Sequence, residues 1–184
     1  MKKVSFQNDV LPLKNQIYRL ALRITLIPEE AEDIVQDTLL KLWSRRDDWD
    51  NIDNIEAYSL TICHNLALDR LKKRDSQNIN FSSIPSPHGE NEASITARQE
   101  HRDNTPADPL EQTLQRDRVR VVRQIIATLP EKQRVCIHLR EFEEKTYKEI
   151  AAILNITEEQ VKVNIFRARQ TIKQTFNKID NYGL

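Results

Sequence analysis

The segment from Thr157 to Arg169 carries side chains whose types and spacing suit contacts with nucleic acid. Long polar side chains recur on what would be one face of a helix, and apolar residues recur on the opposite face. The outward set comprises Glu159, Gln160, Lys162, Val163, Phe166, Arg167 and Arg169. Groups of this length can reach phosphates and base edges when a helix lies in the major groove of DNA. The alternative is an ordinary helical hairpin with a solvated basic face.

The residues around this segment favour a helix-turn-helix. Two capping boxes fit the starts of its two helices, pairing Thr146 with Glu149 and Thr157 with Gln160. Asn155 falls at the turn, where a left-handed backbone is needed and where Asn is tolerated better than most residues. Ala151 is small where the two helices would cross. Together these features favour a DNA-binding motif, with Thr157 capping the helix that contacts DNA.

The rest of the chain is predicted to be helical. It has only 2 Gly in 184 residues, and β-hairpins usually need Gly in their tight turns. Apolar residues recur at helical spacing in six stretches, about 10–26, from Pro28 to Trp43, 55–74, 110–129, 131–141 and onward from Thr146. The expected fold is all-α, with two small helical domains joined by a flexible linker.

The second predicted helix has an outward face that combines acids with a leucine. Its core stripe is read as Ala31, Ile34, Val35, Leu39, Leu42 and Trp43. Off that stripe, at helical spacing, lie Asp33, Gln36, Asp37 and Leu40. A leucine left outward among acids suits a surface that binds a partner, although a merely solvated acidic face is the alternative.

Charge and composition divide the chain into three parts. The formal net charge is zero, yet residues 75–112 hold 2 Lys+Arg against 7 Asp+Glu, and residues 113–184 hold 14 against 9. Helical periodicity disappears between Asp75 and Asp108, where Ser, Asn and Pro dominate. We therefore predict domains at 10–74 and 112–178, with a flexible acidic linker at 75–111.

Several functional classes have little support in the sequence. No apolar run approaches the length of a membrane helix, and the first ten residues lack the apolar core of a secretory signal. Cys63 and Cys136 lie in apolar stretches and are read as buried thiols rather than a disulfide or zinc site. No nucleophile, paired acids or phosphate-binding loop has the spacing of an enzyme, so no catalytic residue, metal or cofactor is expected.

Two blocks of residues resemble regions 2 and 4 of the sigma-70 family of RNA polymerase subunits. The first block consists of Ala31–Asp37, Leu42, Trp43, Tyr58–Ile62 and Asn65–Asp69. The second consists of Leu129, Pro130, Arg134, Leu139, Arg140, Tyr147–Ala151, Leu154, Val161, Lys162 and Phe166–Arg169. With no room for other folded regions, the resemblance is to the short extracytoplasmic-function (ECF) type. The chain departs from the usual pattern at Tyr58, Ser59, Val163 and Asn164.

The resemblance implies a cytoplasmic, non-enzymatic protein with two partners, core RNA polymerase and promoter DNA. On the polymerase, it would bind the clamp region of the β′ subunit and the flap of the β subunit. It assigns core binding to Asp33, Gln36, Asp37 and Leu40. It assigns the −10 element to Trp49, Asn65, Arg70, Lys72 and Lys73, and the −35 element to the helix residues Thr157, Glu159, Gln160, Lys162, Val163, Phe166 and Arg167. An anti-sigma factor is the other implied partner, and no membrane insertion is implied.

Four alternatives remain open at this point. Trp49 can fold back on the second helix instead of meeting a base, and the basic cluster Arg70–Arg74 can be an ordinary charged helix end. The whole chain can be a helix-turn-helix regulator with an unrelated sensor domain, against which the first block of residues argues. A helical adaptor protein would leave the basic face of the last helix unexplained.

Overall fold

Seven α-helices contain most of the residues that the structure describes. The computed structural model describes residues 4–78 and 109–181, so most of the predicted linker, 79–108, lies outside it. No strand occurs in the described ranges, which confirms the all-α prediction. The helices are α1 (Lys14–Thr25), α2 (Pro28–Ser44), α3 (Ile55–Asn78), α4 (Pro109–Thr128), α5 (Glu131–Glu141), α6 (Tyr147–Leu154) and α7 (Glu158–Asn181).

The start of the first domain differs from the prediction of one helix over 10–26. A short π-helical turn, Phe6–Val10, and a 3₁₀ turn, Leu11–Leu13, come before α1. Pro12 lies at the start of the 3₁₀ turn, where a missing N–H is tolerated. Val10 is fully buried, and Val4 and Phe6 pack beside it. Folded structure therefore begins before residue 10.

The helix α2 begins as predicted, but its inner face differs at two positions. Pro28 opens it, with Glu29 and Glu30 in the first turn, where acids stabilise the positive end of the helix dipole. Thr38 is fully buried and donates to the Ile34 carbonyl at 2.6 Å. Trp43, predicted in the core stripe, is instead 48% exposed. Leu42 takes the inward position, and the next residue turns away by about 100°.

Helix α3 continues beyond its predicted end at Arg74. It runs to Asn78, so residues 75–78 of the predicted linker are helical. Ser76 donates its hydroxyl to the Lys72 carbonyl at 2.8 Å. Because no Pro or Gly interrupts this stretch, the backbone can continue its helical hydrogen bonds.

The two helical domains contact each other directly. Buried residues of α1–α3 and of α4–α7 belong to one continuous apolar cluster. Arg134 of α5 crosses this junction and is itself buried. Its Nε donates to the Arg23 carbonyl at 2.6 Å, while its Nη1 donates to the Leu129 carbonyl at 2.8 Å. One guanidinium thereby satisfies carbonyls at the C-terminal ends of two helices, one from each domain.

Both cysteines are buried and unpaired, which confirms that prediction. Burial raises the pKa of Cys63 and of Cys136 to about 12, so neither thiol ionises readily. Among the described helices, none combines the length and apolar character needed to cross a membrane.

Candidate functional site

The predicted helix-turn-helix is formed by α6 and α7. Thr146 and Glu149 make a full capping box at the start of α6. At the start of α7, the Thr157 N–H donates to Gln160 Oε1 at 3.1 Å, and the Gln160 N–H donates to Thr157 Oγ1 at 3.2 Å. Asn155 closes α6 with a left-handed backbone, φ 53° and ψ 49°. Both capping boxes and the turn are therefore confirmed.

Helix α7 separates its residues as the periodicity predicted. Val161, Ile165 and Ala168 are buried against α5 and α6. Most of the predicted DNA-facing residues, Glu159, Gln160, Lys162, Val163, Phe166 and Arg167, are exposed on the other side. This face borders a shallow depression of about 280 Å³ lined by Lys132, Ile156, Glu159, Gln160, Val163, Asn164 and Arg167.

Two members of the predicted DNA-facing set also have structural roles. Gln160 Oε1 accepts from the Thr157 amide, so its carbonyl oxygen is occupied by the cap. Bidentate recognition of adenine by Gln uses both its oxygen and its nitrogen, so the cap competes with this mode of contact. Arg169 pairs with Glu141 of α5 and holds α7 against that helix.

Glu159 adds a negative charge to the exposed face of α7. Hydrogen bonds from its own backbone N–H and from Thr157 lower its pKa. The carboxylate therefore stays ionised and can only accept hydrogen bonds, a role that suits the amino group of cytosine.

The acidic half of the α2 face is paired with α3. Arg70 of α3 lies 3.6 Å from Asp33 Oδ2 and 3.7 Å from Asp37 Oδ2. The structure thus brings together residues to which the resemblance gave different roles, Arg70 for the −10 element and the two acids for core polymerase. Gln36 is exposed beside them.

The other half of the α2 face is an open apolar surface. Leu40 is 66% exposed and Trp43 is 48% exposed. Phe6 packs edge-on against Trp43, with ring centroids 5.0 Å apart. Together with Gln36 and Leu39 these residues line a groove of about 500 Å³. We call this set, Phe6, Gln36, Leu39, Leu40 and Trp43, the α2 groove.

Neither Trp43 nor Phe6 was predicted to lie on this surface, although a helical wheel places Trp43 close to Leu40. At 100° per residue, Trp43 lies about 120° from the buried stripe and only about 60° from Leu40. Phe6 has no such signal, because it precedes the first periodic segment.

The prediction that Trp49 offers an open ring in a loop does not fit the structure. Trp49 lies in a 3₁₀ turn, Arg46–Asn51, and is 5% exposed. It packs with Val10 and Leu42, and Phe6 stacks parallel to it at 6.3 Å. The alternative fold-back on α2 is what occurs, because this large ring closes the end of the first domain's core.

The remaining residues predicted for the −10 element lie along α3. Asn65, Lys72 and Lys73 are exposed. Arg74 instead turns toward α2, where it lies 3.6 Å from Glu30 and 3.5 Å from the Thr25 carbonyl. The basic cluster is therefore divided, with the two lysines open to solvent and the two arginines paired with α2.

Comparisons with known proteins agree on one family. The model of Sigma-70 region 2 matches residues 10–77, and the model of Sigma-70, region 4 matches residues 120–172. The ECF RNA polymerase sigma factor SigW of Bacillus subtilis is 27% identical over 173 residues, covering 92% of this chain and 88% of the relative.

Two solved structures share the fold. The sigma factor RpoE of Bartonella quintana, in complex with the anti-sigma factor NepR, has a TM-score of 0.71 at 22% identity, covering 95% of this chain and 98% of that one. CnrH, in complex with the cytosolic domain of CnrY, has a TM-score of 0.59 at 19% identity, covering 94% and 88%. Both sigma-70 regions are thus present in the right order, and the chain belongs to the ECF group of the sigma-70 family, whose members act in transcription initiation.

Proposed function

We propose that this chain binds core RNA polymerase through Asp33, Gln36, Asp37 and Leu40, extended by the rest of the α2 groove. The helix α7 reads the −35 element in the major groove. The exposed residues of α3, Asn65, Lys72 and Lys73, contact the −10 element and assist its melting. The protein acts in the cytoplasm and catalyses no reaction itself.

The observation that carries this proposal is the presence of two different exposed surfaces on two domains. The α2 groove is apolar and sits beside acids, which is the composition of a protein interface with a dry centre and a polar rim. The outer face of α7 carries Lys162 and Arg167, which are available for phosphates or bases. The match of residues 10–77 to Sigma-70 region 2 argues against a helix-turn-helix regulator with an unrelated sensor domain.

The contact between the domains supports a regulated step before promoter binding. The two promoter elements lie about 25 base pairs, hence about 85 Å, apart along B-form DNA. A compact body of about 150 residues, the size of the two described ranges together, is about 40 Å across. The domains must therefore separate when both elements are bound. The complex of the sigma factor RpoE with the anti-sigma factor NepR supports an anti-sigma partner for this chain as well.

Run-off transcription with bacterial core polymerase and genomic fragments tests the proposal. We expect promoter-specific transcripts only when the chain is added. If the chain binds DNA but neither co-purifies with core polymerase nor stimulates transcription, the protein is a regulator of another kind and the proposal is wrong.

A further inference from the structure

We propose that Val163 reads the 5-methyl group of a thymine in the upstream promoter element. This inference rests on the proposed function and deepens it, because it assigns one base preference to one side chain.

Val163 lies on the side of α7 opposite its buried residues. At 100° per residue, Val163 lies about 170° around the helix from the centre of the buried stripe formed by Val161, Ile165 and Ala168. Those three side chains are at most 2% exposed. When α7 lies in the major groove with its buried side toward the domain, the residue opposite that stripe points most directly at the base edges.

Val163 presents an apolar side chain on this outer side of α7. The side chain is 45% exposed, has no donor or acceptor, and lines the depression in front of α7 together with Ile156. The thymine methyl is the apolar group that the bases present in the major groove, and apolar side chains recognise thymine through it. Cytosine has no methyl at this position, so Val163 favours thymine over cytosine.

The neighbours of Val163 support a contact of this kind. Arg167, one turn further along, can donate to a guanine or a phosphate on one side. Gln160, one turn earlier, has its side-chain oxygen occupied by the Thr157 cap. Asn164 donates its side-chain N–H to the backbone carbonyl of Gln160 at 2.8 Å, so its side chain is likewise turned back on the helix. Gln160 and Asn164 are therefore held back toward the helix, while Glu159 and Arg167 stay exposed on either side of Val163 and line the same depression.

The test removes one methyl group from the DNA and the matching one from the protein. Holoenzyme formed from the full chain and bacterial core polymerase first selects upstream elements from a random duplex pool. Each thymine of the selected element is then replaced singly by deoxyuridine, which lacks only the methyl. We expect one position at which this replacement lowers affinity about four-fold, the effect of burying one methyl group.

The variant Val163→Ala should lose this discrimination and bind the thymine and uracil duplexes equally. Its folding should be intact, since the position is exposed and Ala is the better helix former. The matched control is Val119→Ala, because Val119 is 48% exposed on α4, in the same domain. That variant should keep the full thymine preference.

Failure of the methyl contact and failure of the proposed function would give different results in this experiment. If no common upstream element is selected, the proposed function itself is wrong. If an element is selected but no thymine responds, or Val163→Ala still distinguishes thymine from uracil, only the methyl contact is wrong.

Discussion

Arg19 of α1 and Glu143, which follows α5, form a two-pronged ion pair between the two domains. The Nε–Oε1 distance is 2.7 Å and the Nη2–Oε2 distance is 2.9 Å. The Glu143 side chain is only 4% exposed, whereas that of Arg19 is 38% exposed. Beside it, Lys145 pairs with Glu56, which also accepts from Gln16 at 2.7 Å. Charged contacts therefore add to the apolar cluster that joins the two domains.

Glu143→Gln should destabilise the first domain, although Glu143 belongs to the second. Losing a charged hydrogen bond costs about 1.5–3 kcal/mol, and the partial exposure of Arg19 reduces this to about 1–2 kcal/mol. Both tryptophans, Trp43 and Trp49, lie in the first domain, so tryptophan fluorescence during urea unfolding reports that domain. The neighbouring exposed Glu144, changed to Gln, is the control and should shift the transition by less than about 0.5 kcal/mol. Equal effects of both changes would contradict coupling between the domains.

Stability should fall as the pH drops through about 6.5. Burial lowers the pKa of His138 below 6.5, although contact with Glu143 raises it in part. The unfolded chain then binds more protons than the folded one, so acid favours unfolding. His138→Gln should flatten the dependence of the urea midpoint on pH between 7.5 and 5.5. Some slope should remain, because burial also lowers the pKa of His64. An unchanged slope would rule out His138 as its source.

A second loss of stability should occur at lower pH. Burial would raise the pKa of Glu143, but His138 and Arg19 lower it, to about 2. In the unfolded chain this carboxyl has its ordinary pKa, near 4.5. The ion pair therefore stabilises the protein above about 4.5, and this contribution is lost as the pH falls toward 2. Glu143→Gln should remove this part of the acid transition in the same urea measurements.

Local patterns were sufficient to predict the helix-turn-helix but not the environment of the aromatic residues. The caps at Thr146 and Thr157 depend on residues three apart, which the sequence displays directly. The burial of Trp49 depends on Phe6, which lies far away in the chain and outside any periodic segment. The junction at Arg19 and Glu143 joins residues 124 positions apart, and no periodicity can predict such a contact.

Arg167→Ala should weaken binding to the upstream promoter element without unfolding the second domain. The side chain is exposed on α7 beside Val163, and one base or phosphate contact contributes about 1–3 kcal/mol. Lys178→Ala, in an exposed position near the end of the same helix, removes the same charge and serves as the control. Affinity of holoenzyme for a selected duplex at matched salt is the measurement. Equal losses in the two variants would mean that only overall charge matters.

Two changes on the exposed face of α2, one in the α2 groove and one among the neighbouring acids, should weaken polymerase binding. Trp43→Ala removes a large ring that is 48% exposed, together with an aromatic contact of about 0.5–1.5 kcal/mol with Phe6. Asp37→Lys reverses a charge 3.7 Å from Arg70 but leaves Asp33 as a partner for that arginine. Both variants should fold, as circular dichroism can check, and both should bind core polymerase less tightly, because apolar anchors and misplaced like charges each cost several kcal/mol at an interface.

The matched control for this charge reversal is Asp69→Lys, an exposed acid on α3 of the same domain. It should bind core polymerase as tightly as the parent, since it lies on α3 and not on the exposed face of α2. Fluorescence anisotropy with labelled chain and unlabelled core polymerase measures all variants on one scale. If Trp43→Ala and Asp37→Lys fold and bind core polymerase like Asp69→Lys, the exposed face of α2 is not the docking surface. The open apolar groove would then need another partner.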